Sequence, residues 1–438
     1  MNLTRASFYL TATNIGLAAL TALNFFFLAI VLPPKQLGIL SILLTLPSLG
    51  MNLLSLGYNK AAIYYVGRKT LALETVLANG VAICLVLGVL IGAGLLIAEQ
   101  PLRNLFPDIP LNLLYLAIAS TPTQIFMFYL TEACIAADLL AVNIITRVIP
   151  PITYVAGCIT GILQGTISAK YAFILYLSGI VLADIAGLGI VIVRSTYRRL
   201  FTPNWKALQT CLGFGGKAQI GEIAHYLALR LDLVLVGVWV GMEASGYYSM
   251  AARLGETIWL AAHSVQSALS AKVAQDFQAS IRDKGRRLAR AVRYTATGSL
   301  LIALGIVGVS FVAFRFFLTQ YEPAFPLLLA FAPGQIALAV FLLLVANLIG
   351  DGFPTLATRV RVLLFAVSLL FYLLLIPFWG ALGAGLATSI SYIASTILTA
   401  VILAKKYEIR LAGFLVWNEE DRAFIKASRQ YLSRYFAV

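Results

Sequence analysis

Long apolar runs separated by short polar breaks repeat along the whole chain. Each run is close to the roughly 20 helical residues that cross the hydrocarbon core of a bilayer. Barrel strands would instead alternate apolar and polar positions over about ten residues. The pattern therefore predicts an all-α integral membrane protein with twelve transmembrane helices. The predicted helices are 8–32, 36–57, 75–98, 111–135, 143–164, 171–193, 212–240, 246–271, 295–318, 324–349, 360–377 and 381–404.

Composition and charge distribution support this assignment. The chain is 61% hydrophobic and only 11% charged, whereas soluble domains are about 25% charged. Its net charge of +14 is spread over alternate breaks, so a nucleic-acid partner is not predicted. Lys and Arg are concentrated after the second, sixth, eighth and tenth predicted helices and in the C-terminal tail. Because excess Lys and Arg marks the cytoplasmic side, both termini are predicted to be cytoplasmic.

The chain divides near its middle, where a basic stretch at 194–206 has six predicted helices on either side. A weak internal repeat at an offset of 208 residues supports the division. Two six-helix halves in the same orientation are a transporter pattern, with the binding site between the halves. We predict bundles at 1–200 and 201–405, followed by a cytoplasmic amphipathic tail at 406–438. The repeat pairs Asn14 with Glu222, Asn24 with Asp232, Gly38 with Gly246, and Ser41 with Ser249.

Charged side chains inside the predicted spans are concentrated in the seventh and eighth helices. Such groups are costly in a membrane and usually pair with one another or face a cavity. A tight turn near residue 242 predicts an antiparallel hairpin, with Asp232 opposite Arg253 and Arg230 about level with Glu256. These groups form either structural ion pairs or a site for an anionic headgroup, and the sequence leaves both open. Arginine suits the second role because its fork binds phosphate at two points.

The candidate site residues fall into two groups by charge. Carboxyl groups and histidine are candidates because burial and neighbouring charges bring their proton affinity toward the physiological range. A lone helix histidine is more often a packing residue, and that alternative stays open. No metal site or cofactor is predicted. The candidates for substrate binding are Arg230, Arg253, Lys217 and Lys60, and those for ion coupling or structural ion pairs are Glu222, Asp232, Glu256, Asp184 and His225.

Several stretches resemble the polysaccharide-type exporters of the multidrug/oligosaccharidyl-lipid/polysaccharide (MOP) superfamily, the group of the Wzx-type O-antigen flippases. RLDLVLVGVWVGMEASGYYSMAARLGE is similar to their junction between the seventh and eighth helices. IPFWGALGAGLATSISYI is similar to the start of their twelfth helix, and LPPKQLGILS and LGYNKAAIYYVGR to their second helix and its exit. The resemblance covers about 1–405 and implies a MATE-like fold with a cavity between two six-helix bundles. The residues matched at the first junction are Asp232, Gly246, Tyr247, Tyr248, Ser249, Ala251 and Arg253.

The resemblance also implies a function. It implies a flippase in the cell inner (cytoplasmic) membrane that moves a polyprenyl-diphosphate-linked oligosaccharide from the inner to the outer leaflet for cell-envelope polysaccharide synthesis. Transport would proceed by alternating access coupled to H⁺ or Na⁺, without covalent chemistry, so the protein is not expected to be an enzyme. The physics is consistent, because desolvating a diphosphate in hydrocarbon is prohibitive and a cationic aqueous cavity lowers that cost.

The sequence leaves two alternatives to a flippase, a drug exporter and a sugar-transferring enzyme. A cation-coupled exporter of drugs or organic cations would favour an acidic, aromatic cavity, and the arginines in the predicted spans disfavour it. A membrane-bound glycosyltransferase or polymerase usually needs a sizeable outer loop, and the predicted outer breaks are about a dozen residues or fewer. Drug-resistance assays and tests for sugar transfer discriminate these alternatives from a flippase.

Overall fold

The computed structural model has only helical secondary structure in the parts of the chain that it describes. It describes residues 16, 17, 20, 21, 23–194, 203–275, 280–414 and 416, with side chains except at 194, 217, 218 and 260–275. The predicted all-α fold is confirmed. The α-helices are α1 (23–31), α2 (Pro34–Leu54), α3 (Tyr58–Gly67), α4 (Leu73–Ile97), α5 (Glu99–Leu105), α6 (Leu111–Ala119), α7 (Thr121–Ala136), α8 (Leu140–Leu163), α9 (Ala169–Arg194), α10 (Trp205–Trp239), α11 (Met242–Gln275), α12 (Ile281–Phe316), α13 (Ala324–Gly350) and α14 (Pro354–Lys406).

The helices have the length and surface that a bilayer requires. Among the described residues, 8 helices are long and apolar enough to span a membrane. Large apolar side chains such as Phe316, Phe317 and Phe378 are mostly exposed, as expected for groups that contact lipid. Helices suit this environment because they satisfy their backbone hydrogen bonds internally. The chain is a multi-pass membrane protein, and its described helices are consistent with the predicted count of twelve.

The fourth predicted span, 111–135, is two helices with a joint between them. α6 ends at Ala119 and α7 begins at Thr121. At the joint, the Ser120 hydroxyl donates to the carbonyl of Ala117 at 2.7 Å. Pro122 lies in the first turn of α7, where its missing N–H leaves no helical hydrogen bond unmade. Four other prolines in the apolar segments, Pro47, Pro150, Pro151 and Pro333, lie inside helices that continue through them.

The last two predicted spans, 360–377 and 381–404, are two helices that meet at one non-helical residue. The range of α14 contains both helices, and Gly380 between them has φ 57° and ψ −137°. A positive φ favours glycine because it has no Cβ to clash with the backbone. The chain reverses at this residue, because the Tyr372 hydroxyl and Thr388 Oγ1, eight positions on either side of it, lie 3.2 Å apart.

The chain forms two compact units. The first takes its described residues from Met1–Met250, Phe314–Ala324 and Ile376–Ala384, and the second from Ala251–Ala313, Phe325–Leu375 and Gly385–Val438. The predicted bundles at 1–200 and 201–405 stay a prediction. Most of the predicted amphipathic tail, 406–438, lies outside the described residues.

Two buried tyrosines fix the joint between α2 and α3 in the first unit. The rings of Tyr58 and Tyr129 are 4.9 Å apart between centroids. The Tyr129 hydroxyl donates to the carbonyl of Ser55 at 2.7 Å, and that of Tyr58 donates to the carbonyl of Val76 at 2.8 Å. Buried phenols normally need such a partner. These bonds hold the end of α2 against α7 and the start of α3 against α4.

A carboxylate network fastens three segments of the second unit. Lys284 Nζ at the start of α12 lies 2.8 Å from Asp351 Oδ1, in the turn between α13 and α14. Lys406 Nζ at the end of α14 lies 3.2 Å from Asp351 Oδ2, which also accepts from the Tyr407 hydroxyl at 3.0 Å. The Asp351 side chain is only 8% exposed. Burial alone would raise the Asp351 pKa, but hydrogen bonds from Lys284, Tyr407 and Lys406 outweigh it, and the pKa lies below its ordinary value.

Candidate substrate and coupling site

Lys60 and Glu222 form an ion pair between α3 and α10. Lys60 Nζ lies 2.8 Å from Glu222 Oε1, and the side chains are 34% and 32% exposed. Water therefore reaches the pair, and its contribution to stability is modest. On α7, the Glu132 carboxylate interacts electrostatically with Arg147 and Lys60. Lys60 thus interacts with two acidic side chains on different helices, Glu222 on α10 and Glu132 on α7.

The backbones of the α2–α3 joint and α10 touch beside this pair. A Cβ at Gly57 would overlap the carbonyl oxygen of Gly215, and a Cβ at Gly215 would overlap that of Gly57. Gly57 also has φ 68°, in the left-handed region that other residues rarely adopt. Only glycine at both positions permits this approach, which brings α3 close enough for Lys60 to reach Glu222.

Polar and aromatic contacts extend along the same two helices. The rings of Tyr64 and Phe214 stack at 4.6 Å between centroids and 23° between planes. The Gln219 amide donates to Ser55 Oγ at 2.9 Å. The orientation predicted from the distribution of Lys and Arg has this end of the helices on the cytoplasmic side. We call this set the inner contact, and its residues are Gly57, Lys60, Tyr64, Phe214, Gly215, Gln219 and Glu222.

The hairpin of α10 and α11 is closed by a hydrogen bond that sequence reasoning missed. The predicted tight turn is present, because α10 ends at Trp239 and α11 begins at Met242. Asp232 is only 3% exposed, and its Oδ2 accepts from the Tyr248 hydroxyl at 2.5 Å. Both residues lie eight positions from residue 240, so a reflection about the observed turn would have found the pair. The predicted pairing of Asp232 with Arg253 stays a prediction.

The remaining candidates on α10 and α11 differ in exposure. Arg253 Nη1 lies 3.7 Å from Glu256 Oε2, one turn along the same helix, and the side chains are 41% and 20% exposed. Arg230 and His225 are half-buried on α10. The predicted level of Arg230 with Glu256 stays a prediction. The side chain of Lys217 lies outside the described residues.

Asp184 is the deeply buried acid of α9. The residue is 8% exposed, and within the described residues its Oδ1 has no hydrogen-bond partner. A Cβ at Gly187, one turn later, would overlap side-chain atoms of Thr146 and Leu130, so α9 lies tightly against α7 and α8. An isolated buried charge is costly, which favours a neutral or ion-bound carboxyl. Among the described residues, no group of three or more His, Cys, Asp or Glu side chains could hold a metal ion.

Comparison with known proteins then decides the family. The family model described as "Polysaccharide biosynthesis protein" matches residues 27–321. The chain belongs to this family. The matched range contains the whole inner contact and the α10–α11 hairpin, and it confirms the resemblance predicted from the motifs.

One curated relative and two solved structures are similar to this chain over most of its length. A curated relative from Haloferax volcanii, "Probable low-salt glycan biosynthesis flippase Agl15", is 23% identical over 417 residues, covering 94% of this chain and 85% of its own. The solved structure of the lipid II flippase MurJ, in an inward closed conformation, has a TM-score of 0.73 at 14% identity, covering 92% of this chain and 88% of its own. An inward-facing MATE transporter of the MOP superfamily has a TM-score of 0.66 at 14% identity, covering 90% and 94%. The structural likenesses confirm the predicted MATE-like fold.

Proposed function

We propose that this chain is a flippase that moves a polyprenyl-diphosphate-linked oligosaccharide from the inner to the outer leaflet of the cytoplasmic membrane. Its role would be in cell-envelope polysaccharide synthesis, by alternating access coupled to H⁺ or Na⁺. The observation that carries the proposal is the half-exposed Lys60–Glu222 pair in a polysaccharide biosynthesis protein. Support also comes from the relatives, since Agl15 and MurJ are both named as flippases.

The inner contact offers a physical link between substrate and ion. A diphosphate arriving from the cytoplasm competes with Glu222 and Glu132 for the Lys60 ammonium group, which both acids approach. A carboxylate that loses its cation binds H⁺ or Na⁺ more readily, because a nearby positive charge no longer stabilises its ionised form. Arg230, Arg253 and Lys217 are proposed to hold the diphosphate or an acidic sugar. Glu222, Asp232, Glu256, Asp184 and His225 remain proposed for ion coupling or structural ion pairs.

Two measurements test the proposal directly. Deleting the gene should cause a lipid-linked oligosaccharide to accumulate in the inner leaflet, and restoring the gene should clear it. In proteoliposomes, purified protein should move a labelled short-chain polyprenyl-diphosphate oligosaccharide between leaflets. Sugar transfer by the purified protein, or accumulation of no lipid-linked glycan after deletion, would contradict it.

Charge exchange tests the role of Lys60 separately from its structural contribution. Lys60→Glu and Glu222→Lys should each reduce flipping. Their combination should restore thermal stability but not flipping, because the cation then lies on α10 instead of α3. The matched control is the exposed Glu99–Arg103 pair of α5, whose nitrogen and oxygen are 2.9 Å apart and whose exchange should leave flipping unchanged.

The predicted arginines need their own test. Arg230→Ala and Arg253→Ala should each reduce export at normal protein levels. Full export by both variants would contradict the assignment of these two side chains to the diphosphate, whatever the result at Lys60.

A further inference from the structure

α2 and α11 touch backbone to backbone in the first unit. A Cβ at Gly38 would overlap the carbonyl oxygen of Met242, and a Cβ at Gly246 would overlap that of Pro34. Both glycines are buried. Small residues allow membrane helices this close approach, and any larger residue at either position would push the helices apart.

The internal repeat relates the two halves of this contact to each other. The offset of 208 residues places Pro34 on Met242 and Gly38 on Gly246. Gly38 contacts Met242 while Pro34 contacts Gly246, so one interaction occurs twice with its partners exchanged. A two-fold axis produces contacts of this kind. Within the first unit, a local two-fold axis therefore relates the starts of α2 and α11.

Neighbouring segments hold these helix starts in place. In the turn Thr319–Tyr321, the Tyr321 hydroxyl donates to the carbonyl of Leu32 at 2.8 Å, and the Gln320 amide donates to that of Ala29 at 2.9 Å. The Tyr321 ring also meets that of Tyr247 edge-on, at 6.3 Å between centroids. The carbonyl of Ala29, in the last turn of α1, and that of Leu32, just after α1, thus accept hydrogen bonds from a segment that also packs on α11.

The charge distribution assigns these helix starts to the outer side, opposite the basic breaks. We call the set Pro34, Gly38, Met242 and Gly246 the outer contact. We infer that the outer contact is the outer gate of the transport path, and that α2 and α11 must separate there for the glycan to leave. This inference rests on the proposed flippase function.

Two physical arguments support the gate. A path between repeats runs along their axis, so helices that touch on the axis block it. The atoms nearest to the two glycines are uncharged backbone atoms of glycine, proline and methionine. Separating it costs dispersion energy but desolvates no charge, which suits a contact that opens and closes in every cycle.

Crosslinking tests the gate while both glycines stay in place. In a variant whose four cysteines are replaced by alanine, one cysteine is placed at Lys35 or Ile39 and another at Glu243 or Ala244. A short bis-maleimide should link at least one pair, and flipping by the linked protein should fall to the protein-free rate. The control is Lys35→Cys with Asp108→Cys, replacing an outer ion pair within the first half with atoms 2.7 Å apart, whose linkage should leave flipping unchanged.

Glycine substitution gives a second measurement. A cysteine at Ser249, which is 4% exposed, reports outer access through its reaction with a membrane-impermeant maleimide. Gly38→Ala and Gly246→Ala should raise the labelling rate severalfold. Gly92→Ala should not, because a Cβ at Gly92 on α4 meets nothing within 4 Å.

The outcomes separate this inference from the proposed function. Normal flipping by the crosslinked protein, or unchanged labelling in both glycine variants, would overturn the gate while the flippase function stands. Absence of flipping by the unmodified protein would contradict the function instead. If the glycine variants do not accumulate in the membrane, the crosslinking result decides.

Discussion

The inner and outer contacts each depend on a pair of glycines that lets two backbones touch, but their surroundings differ. Each pairs two glycines across helices, Gly57 with Gly215 in one and Gly38 with Gly246 in the other. The inner pair lies beside an ion pair and a stacked aromatic pair, whereas the outer pair meets backbone atoms. Close approach therefore needs glycine at either end. At the inner contact an ion pair also joins the two touching elements, whereas the charged Lys35 beside the outer contact pairs with Asp108 and not with α11. Under the proposed function, the inner contact responds to the charge of the substrate, and the outer contact depends on how closely α2 and α11 pack.

The largest expected effect on the free energy of unfolding is at the Gly57–Gly215 pair of the inner contact. Gly57→Ala should cost about 3 kcal/mol, because it adds overlap with the Gly215 carbonyl to the strain of a left-handed residue. Gly165 has a similar φ of 66° but meets nothing within 4 Å, so Gly165→Ala should cost about 1 kcal/mol. Unfolding of the purified variants in detergent measures both values. Equal costs would show that the approach of α10 adds nothing.

A smaller effect tests how firmly the start of α11 is held beside the outer contact. Tyr248→Phe removes the donor to buried Asp232 and should cost about 2 kcal/mol, as expected when a buried acceptor loses its hydrogen-bond donor. Tyr247→Phe is the matched control. Its hydroxyl donates to the exposed Glu243 at 2.9 Å, and its loss should cost about 0.5 kcal/mol or less. The same unfolding assay compares them, and similar costs would mean that Asp232 does not anchor the hairpin.

The smallest effect provides a reference for a charged contact without a glycine pair. The pKa of Asp351 is lowered in the folded state, so ionisation stabilises folding above the unfolded pKa of about 3.9. That contribution is lost as the pH falls through the folded value. Asp351→Asn should therefore cost about 1 kcal/mol at neutral pH, and the two proteins should converge in stability as the pH falls below about 4 and through the folded pKa. Stability curves that stay parallel as the pH is lowered further below about 4, until both proteins unfold, would contradict an ionised Asp351.

Long apolar segments could be predicted because a bilayer sets their length and their uniform composition. The short helix α3 was missed, since ten residues carry no membrane-length signal, and the sequence placed Lys60 in a polar exit. The pairing of Lys60 with Glu222 spans 162 positions and follows no local periodicity. Tyr248 was recognised only as part of a motif, because the hydrogen bond to Asp232 depends on where the turn is centred. Tertiary contacts of this kind arise from packing, which a single sequence does not encode as a pattern.

The exchanged partners at Gly38 and Gly246 bear on how such a chain could originate. In a homodimeric ancestor, one codon would have supplied the glycine on both sides, so a single mutation would have opened or closed the whole junction. Once two copies are fused, each glycine is encoded separately, and losing either one is enough to wedge the helices apart. After duplication, two separate glycine codons would have to be kept where one was enough before.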